Sequence, residues 1–310
     1  MGYPARIGAG VAALMAVSGC AGWPNAPGIP QVQERSLSAS DLLAEPLPAP
    51  ASTDWRLVDP EDLLLIKTRH GVTAIELDLS FAPNHAARMR DLVRAGFYNG
   101  EYFYRVIDGF VAQAGVQHDD RMSDWPPLQN ENDRARSFET LIPLGNEDLF
   151  TDEVGHTVRG FSMGRDRSLG REWLLHCPGA MAMARDEDPN TGGTEFYIVL
   201  DAQRYLDRNL TIFGRVIDGM EHIQALERGD RAVESGVIQP PRTGDEILSA
   251  TLAADLPDDL RPEYYVMKTN RQAFEEAKRA KRIRAEPFFY RRPPAILDIC
   301  GFDVPVKRTR

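Results

Sequence analysis

The chain has 310 residues, is 43% hydrophobic and carries a formal net charge of −10. It is long enough to bury a full core and to hold one domain with an extension. No segment is long and apolar enough to span a bilayer. The six histidines, at 70, 85, 118, 156, 176 and 222, show no metal-ligand spacing. No phosphate loop of the Gly-x-x-x-x-Gly-Lys type occurs, and no Gly-x-Ser-x-Gly nucleophile elbow is expected. The charge is uneven, because residues 268–310 hold 12 Lys+Arg against 5 Asp+Glu. Two readings of this basic tail stand: it binds an anionic surface, or it folds onto its own acidic body.

In chain order, Arg6 precedes an apolar run from Ile7 to Val17 that is followed by Ser18-Gly19-Cys20. This reads as an export signal over 1–19. Its end resembles the lipobox of bacterial lipoproteins, which implies cleavage before Cys20 and lipid attachment there. Ordinary cleavage nearby, with Cys20 incidental, is the alternative. Residues 20–54, rich in Pro, Ala and Ser, read as an extended tether.

Leu63–Ile66 reads as a strand, turned back by Arg69-His70-Gly71 into Val72–Leu79. There Ile75, Leu77 and Leu79 alternate with Glu76 and Asp78, as in a strand with one buried face. Pro83-Asn84 opens a helix with Ala86, Met89, Leu92 and Val93 on one stripe, ended by Gly96. Tyr102–Val106 and Val111–Gly115 read as a hairpin turned at Asp108-Gly109. Alternation places Tyr102, Tyr104 and Val106 on one face and Phe103 and Arg105 on the other; after the turn, Val111 and Gln113 share a face. Residues 117–172 read as an insert of long loops around one further strand. Gly219–Arg228 reads as a second helix with Met220, Ile223 and Leu226 inward, and Ile247–Leu252 as a last strand. Beyond Pro257, Asn270 is expected to cap a helix to about Arg284, and Ile296–Val306 to form a small hairpin around Gly301. Phe288, Phe289, Tyr290 and Ile296 are expected to pack on the main domain.

Two segments carry a resemblance. The hairpin supplies an Arg-bearing strand and Phe110-x-x-Gln113-x-Gly115. Residues 179–216 supply Met183-Ala184-Arg185, Gly193-x-x-Phe196, Leu206-Asp207 and Phe213-Gly214, in that order. Together they resemble the cyclophilins, the peptidyl-prolyl cis–trans isomerases, over roughly Leu63 to Leu252. The resemblance implies a mainly β fold: a closed eight-stranded antiparallel barrel capped by two helices, here within 55–256. A partly helical C-terminal extension over 257–310 follows it. It also implies isomerisation of X–Pro bonds with no cofactor and no metal, proline-containing or unfolded polypeptides as partners, and no nucleic acid. Arg105 and Gln113 take the catalytic roles. Phe110, Val111, Tyr197, Leu206 and Leu210 form the proline pocket, and Ala184 and Arg185 line the peptide groove through their backbone. The leader implies an exported, periplasmic location, with a membrane met only through lipid on Cys20. A catalytically weak peptide-binding scaffold is the alternative function.

The pattern departs from the family where Glu195 stands for Gln, Tyr197 for Phe, Val111 for Met, Tyr205 for Trp and Leu210 for His. Glu195 either aligns Arg105 or partly neutralises it. Tyr205 lacks the indole donor that the family uses on cyclosporin, so weak binding of that drug is expected. With Cys20 set aside, Cys177 and Cys300 remain. They form a disulfide in an oxidising compartment or stand as two separate buried thiols.

Overall fold

The structure, a computed structural model, describes residues 49–50, 53–116, 120–137 and 141–309. The export signal, Cys20 and the tether as far as residue 48 lie outside the described residues.

Leu63–Thr68 and Gly71–Leu77 pair antiparallel across a two-residue turn, Leu63 opposite Glu76 and Thr68 opposite Gly71. They belong to a curled sheet of nine strands. Its order is Asp245–Glu246, Tyr102–Val106, Val111–Gly115, Phe196–Val199, Ala180–Met183, Ile212–Asp218, Gly71–Leu77, Leu63–Thr68 and Ser249–Leu252. The expected closed eight-stranded barrel is corrected here. The two edge strands are consecutive pieces of one segment that bends at Ile247-Leu248. Asp245 and Glu246 pair with Phe103 and Tyr102, while Ser249–Leu252 pairs with Lys67 to Leu64. The ladder therefore has two ends.

One face of this sheet buries Leu64, Ile66, Ile75, Leu77, Phe196 and Phe213. Against them pack Ala86, Met89, Leu92 and Val93 of α1 (Pro83–Arg94) and Ile223 of α2 (Met220–Gln224). Burying each large side chain contributes about 1.5–3 kcal/mol. Residues of the opposite parity, Leu63, Leu65, Ala74, Val111, Ala182 and Tyr197, join a second core on the other face. That second core corrects the expectation of one buried face for Gly71–Leu77: Glu76 and, just beyond it, Asp78 are fully buried.

What covers the outer face comes from the insert and the extension. The insert holds more than loops and one strand. Arg134–Ala135, Arg171–Leu174, Ser162–Asp166, Glu153–His156 and Ile142–Pro143 form a five-stranded antiparallel sheet in that order. Gly160 to Gly164 spells the Gly-x-Ser-x-Gly of serine hydrolases, but Ser162 opens a strand followed by another strand. The strand-to-helix elbow that this chemistry needs is absent there. A third sheet orders Trp55–Leu57, Tyr264–Met267 and Val306–Arg308, so the extension pairs with the segment that enters the domain. The expected hairpin over Ile296–Val306 is replaced by a turn at Ile299–Gly301 and the strand Val306–Arg308. α3 (Gln272–Arg282) starts from Arg271, not Asn270, and buries Phe274 and Lys278. The Lys278 Nζ donates to the Pro143 carbonyl at 2.8 Å. Leu297, Ile299, Phe302 and Val304 complete this packing. Phe288, Tyr290 and Ile296, expected to pack, are instead exposed.

An ion-pair cluster and a disulfide fasten the layers. Glu76 meets Arg56 of the third sheet at 2.7 Å, Arg159 of the insert at 3.1 Å and Arg215 of the large sheet at 3.1 Å. Cys177 and Cys300 form a disulfide with Cα atoms 4.8 Å apart, across 123 residues of sequence. Closing a loop of that length is worth up to about 5 kcal/mol in the chain-entropy account, and loss of such a bridge costs about 2–5 kcal/mol. Reduction is therefore expected to lower the melting temperature by roughly 5–15 °C. An unchanged melting temperature after reduction, or two thiols titrating in the unfolded, oxidatively isolated protein, contradicts this.

Candidate active site

The hairpin Tyr102–Val106 and Val111–Gly115 turns with Gly109 at φ +64°, a conformation that costs glycine nothing. Its register shifts partway. Tyr102 faces Gly115 and Arg105 faces Gln113, so three steps on one strand oppose two on the other. Such a bulge re-aims side chains. Simple alternation put Tyr104 and Arg105 on opposite faces; with one residue extra, both reach Gln113.

The Arg105 Nη1 donates to Gln113 Oε1 at 3.0 Å, and its Nε donates to the Ser235 carbonyl at 2.8 Å. The guanidinium lies 5.6 Å from the Phe110 ring centre, within cation–π range. Arg231 sits over the same ring at 5.7 Å. Burial pulls the Arg105 pKa down from its ordinary value and Arg231 acts the same way, while Tyr104 and Tyr205 oppose them. A guanidinium stays charged throughout. Of its five N–H donors two are used; the Nη2 pair has no hydrogen-bond partner among the described residues.

Gln113 is oriented from behind. Its Nε2 donates to Glu195 Oε2 at 2.8 Å and to Tyr104 Oη at 2.6 Å, and the Tyr104 hydroxyl donates to the same carboxylate oxygen. A carboxylate only accepts, so it fixes which end of the amide is the NH2 and turns Oε1 toward Arg105. Glu195 thus acts on Arg105 through Gln113. Glutamine at 195 offers donors of its own and weakens that choice. Glu195→Gln is expected to lower kcat/KM about three- to tenfold, the difference between a charged and a neutral hydrogen bond. A rise in activity would support the neutralising role instead.

Beside Arg105, most of the residues expected to form the proline pocket belong to an apolar cluster. Val111 and Tyr197 are buried, and Phe110, Ala184 and Leu210 pack against the same core. Leu206, half-buried at the end of the turn Arg204–Leu206, is not part of that packing. Tyr205 is 62% exposed. The Tyr197 hydroxyl, extra relative to phenylalanine, is paired with His176 Nε2 at 2.9 Å. The other ring nitrogen of His176 meets Asp207 at 3.1 Å, and Asp207 accepts from Arg204, which reaches Asp148 of the insert. Burial pushes the Tyr197 phenol pKa up, so it stays protonated.

On the far side of Gln113 is a groove of about 500 Å³ lined by Tyr104, Gln113, Ala184, Arg185 and Glu195, with Met122 and Trp125 from the insert. The Arg185 side chain closes its own loop by donating to the carbonyls of Asp186, Glu187 and Asn209. A larger cavity of about 630 Å³ lies elsewhere, against the disulfide and the extension, and contains none of these residues.

The sequence pattern of the family described as "Cyclophilin type peptidyl-prolyl cis-trans isomerase/CLD" matches residues 63–252, well over half of the chain. The chain belongs to the cyclophilin family. A probable peptidyl-prolyl cis-trans isomerase of Brucella suis is 30% identical over 198 residues, covering 64% of this chain and 85% of the relative. The peptidyl-prolyl cis-trans isomerase-like 3 of Gallus gallus is 29% identical over 163 residues, 53% of this chain and 80% of its own length. The solved cyclophilin AquaCyp293 from Hirschia baltica aligns with a TM-score of 0.68 at 29% identity, covering 82% of this chain and 93% of its own. That coverage exceeds the 190 residues of 63–252, so the structural likeness continues into the flanking segments. The protein is therefore a cyclophilin-type peptidyl-prolyl isomerase with a mainly β fold.

Several site residues were invisible to sequence reasoning. Tyr104 depends on a bulge, and the Ser235 carbonyl on a loop 130 residues away. In that loop Glu234, Ser235 and Gly236 all have positive φ. His176 gave no signal, because its partners Tyr197 and Asp207 lie 21 and 31 residues on.

Proposed function

We propose that this cyclophilin isomerises X–Pro bonds of exported polypeptides and assists their folding, tethered through residues 20–54 to a membrane by lipid on Cys20. The reading of the site rests on one observation. Arg105 is clamped by Ser235 and Gln113 over the Phe110 ring, with Nη2 left without a partner among the described residues and Phe110 packed on the core that holds Val111 and Tyr197.

Rotation about a peptide bond meets a barrier of about 18–20 kcal/mol because the nitrogen lone pair is conjugated with the carbonyl. The two prolyl isomers differ by only about 0.5–1 kcal/mol, so the barrier alone needs lowering. As the bond twists, the lone pair leaves conjugation and becomes a hydrogen-bond acceptor. A charged N–H donor aimed at that nitrogen is bound more tightly in the twisted state than in either planar one. Arg105 supplies it, and Gln113 holds the guanidinium in place. Phe110, Val111, Tyr197 and Leu210 grip the proline ring, with Leu206 at the pocket's margin. Ala184 and Arg185 present backbone to the peptide. No proton changes hands.

Refolding of an exported protein limited by proline isomerisation tests this reading. Catalytic amounts of the protein are expected to accelerate the slow phase, and Arg105→Ala is expected to lose the effect. No acceleration by the wild-type protein would favour the scaffold reading, and equal acceleration by both would reject the role of Arg105. The anchor is tested by the mass of the mature N-terminus: a diacylated Cys20 is expected, and an unmodified Cys20 rejects it.

A further inference from the structure

The segment 283–296 leaves the body of the protein with most of its large apolar side chains outward and Phe289 half-buried. Phe288 is 85% exposed, Tyr290 89% and Ile296 64%, three large apolar groups within nine residues. Both ends are fixed. Arg282 donates to the Leu144 carbonyl, and Leu297, buried, exchanges two hydrogen bonds with Asn146. Asn146 also opens a second loop whose Leu149 is 96% and Phe150 58% exposed. Prolines at 287, 293 and 294 restrict the backbone between.

The charge around these tips is of one sign. Between 279 and 292 there are six Lys and Arg residues, Arg279, Lys281, Arg282, Arg284, Arg291 and Arg292, against Glu286 alone. Arg284 lies over the Phe289 ring at 5.7 Å and Arg291 over Tyr290 at 5.6 Å. Arg284, Arg291 and Arg292 have no ion-pair partner among the described residues. Lys278 of α3, by contrast, is buried and turns inward to the Pro143 carbonyl. Of the two readings of the tail, folding onto the body holds for α3, whereas the loop beyond it faces solvent.

We propose that this aromatic–basic loop docks the protein on an anionic lipid surface. Phe288, Phe289 and Tyr290 enter the interfacial layer, and Arg284, Arg291 and Arg292 meet the headgroup phosphates. Aromatic rings beside cations are the composition that settles at a bilayer's headgroup level. Each basic residue near such a surface raises partitioning about fivefold. A long polyanion such as a nucleic acid meets the same loop, but it also meets the strongly acidic remainder of the chain. A bilayer touches the loop tip alone. The proposal is independent of lipid on Cys20 and would act with it.

The test uses the full chain carrying Cys20→Ser, sedimented with vesicles of phosphatidylcholine alone or of phosphatidylcholine with phosphatidylglycerol. The apolar run 7–17 with Arg6 gives wild type and variants the same background on a given lipid, so the share of the loop is the difference between them. Phosphatidylglycerol is expected to raise partitioning roughly tenfold or more. The pairs Phe288→Ser with Tyr290→Ser, and Arg291→Glu with Arg292→Glu, are each expected to remove that increment while leaving the isomerase rate unchanged. The unchanged rate shows that the variants are folded. Partitioning indifferent to phosphatidylglycerol, or undiminished in both pairs, overturns the proposal. Tighter binding to a single-stranded oligonucleotide than to the anionic vesicles overturns it as well.

Discussion

Arg105→Ala is expected to lower kcat/KM on a proline peptide by at least about tenfold, and by as much as about a thousandfold, with the fold intact. Tenfold is about 1.4 kcal/mol of lost transition-state stabilisation. Removal of a donor aimed at developing charge reaches a hundred- to a thousandfold in other enzymes. Arg105 is half-buried, and its bonds go to one carbonyl and one amide, so its loss leaves no buried charge behind. Lysine is expected to recover only part of the rate. It keeps the charge but lacks the planar fork that holds Ser235 and Gln113 at once. Wild-type turnover in Arg105→Ala would end this mechanism.

The second large effect is on stability. Glu76→Ala is expected to cost about 3–5 kcal/mol, because it leaves Arg56, Arg159 and the largely buried Arg215 around an empty position. The same carboxylate makes stability depend on pH. Burial alone would raise its pKa; Arg215, Arg56 and Arg159 more than reverse this and hold it at about 2 instead of the ordinary 4.5. The unfolded chain therefore takes up this proton first. The contribution, about 3 kcal/mol, is complete above pH 4.5 and is lost as pH falls toward about 2. His156 adds an earlier loss. It packs edge-on to Phe274 at 5.4 Å and Phe302 at 5.9 Å, and burial pulls its pKa from 6.5 to about 3. Below pH 6.5 the unfolded state gains a proton that the folded state refuses until about pH 3. Urea midpoints are expected to fall steadily on acidification from neutrality, and His156→Phe to flatten the upper part of that decline. A midpoint constant between pH 6.5 and 4.5 would contradict the assignment to His156.

The site was legible where chemistry fixes residue type at fixed spacing. Arg105, Gln113, Phe110, Val111 and Tyr197 meet because the hairpin and the strands Phe196–Val199 and Ala180–Met183 are neighbours in one sheet, with Tyr197 opposite Gln113. Glu195 was legible as a departure but not in its effect, since its reach to Arg105 passes through an amide whose orientation no sequence records. Tyr104 was lost to a one-residue bulge, because period-2 reasoning assumes an unbroken ladder. The insert's sheet was unreadable for a different reason. Its strands are two to five residues long, too short for a period to show. Glu76 was misplaced because alternation marks polar positions, and here the outer face is covered by segments distant in sequence that bring Arg56 and Arg159 to join Arg215 of the sheet itself. The helix stripe of α1 was read correctly, since Pro83 and Gly96 bracket three turns of unbroken period.

The central claim, that a guanidinium held by Gln113 and Ser235 lowers the prolyl rotation barrier, is tested most directly by a protease-coupled assay on a chromogenic proline peptide. Wild type, Arg105→Ala and Arg105→Lys are compared at equal concentration, with thermal unfolding confirming that each is folded. The account predicts clear acceleration of the cis-to-trans phase by wild type, partial activity for the lysine variant and little above the uncatalysed rate for the alanine variant. A wild-type protein that binds the peptide without accelerating it, or an alanine variant as fast as wild type, would contradict it.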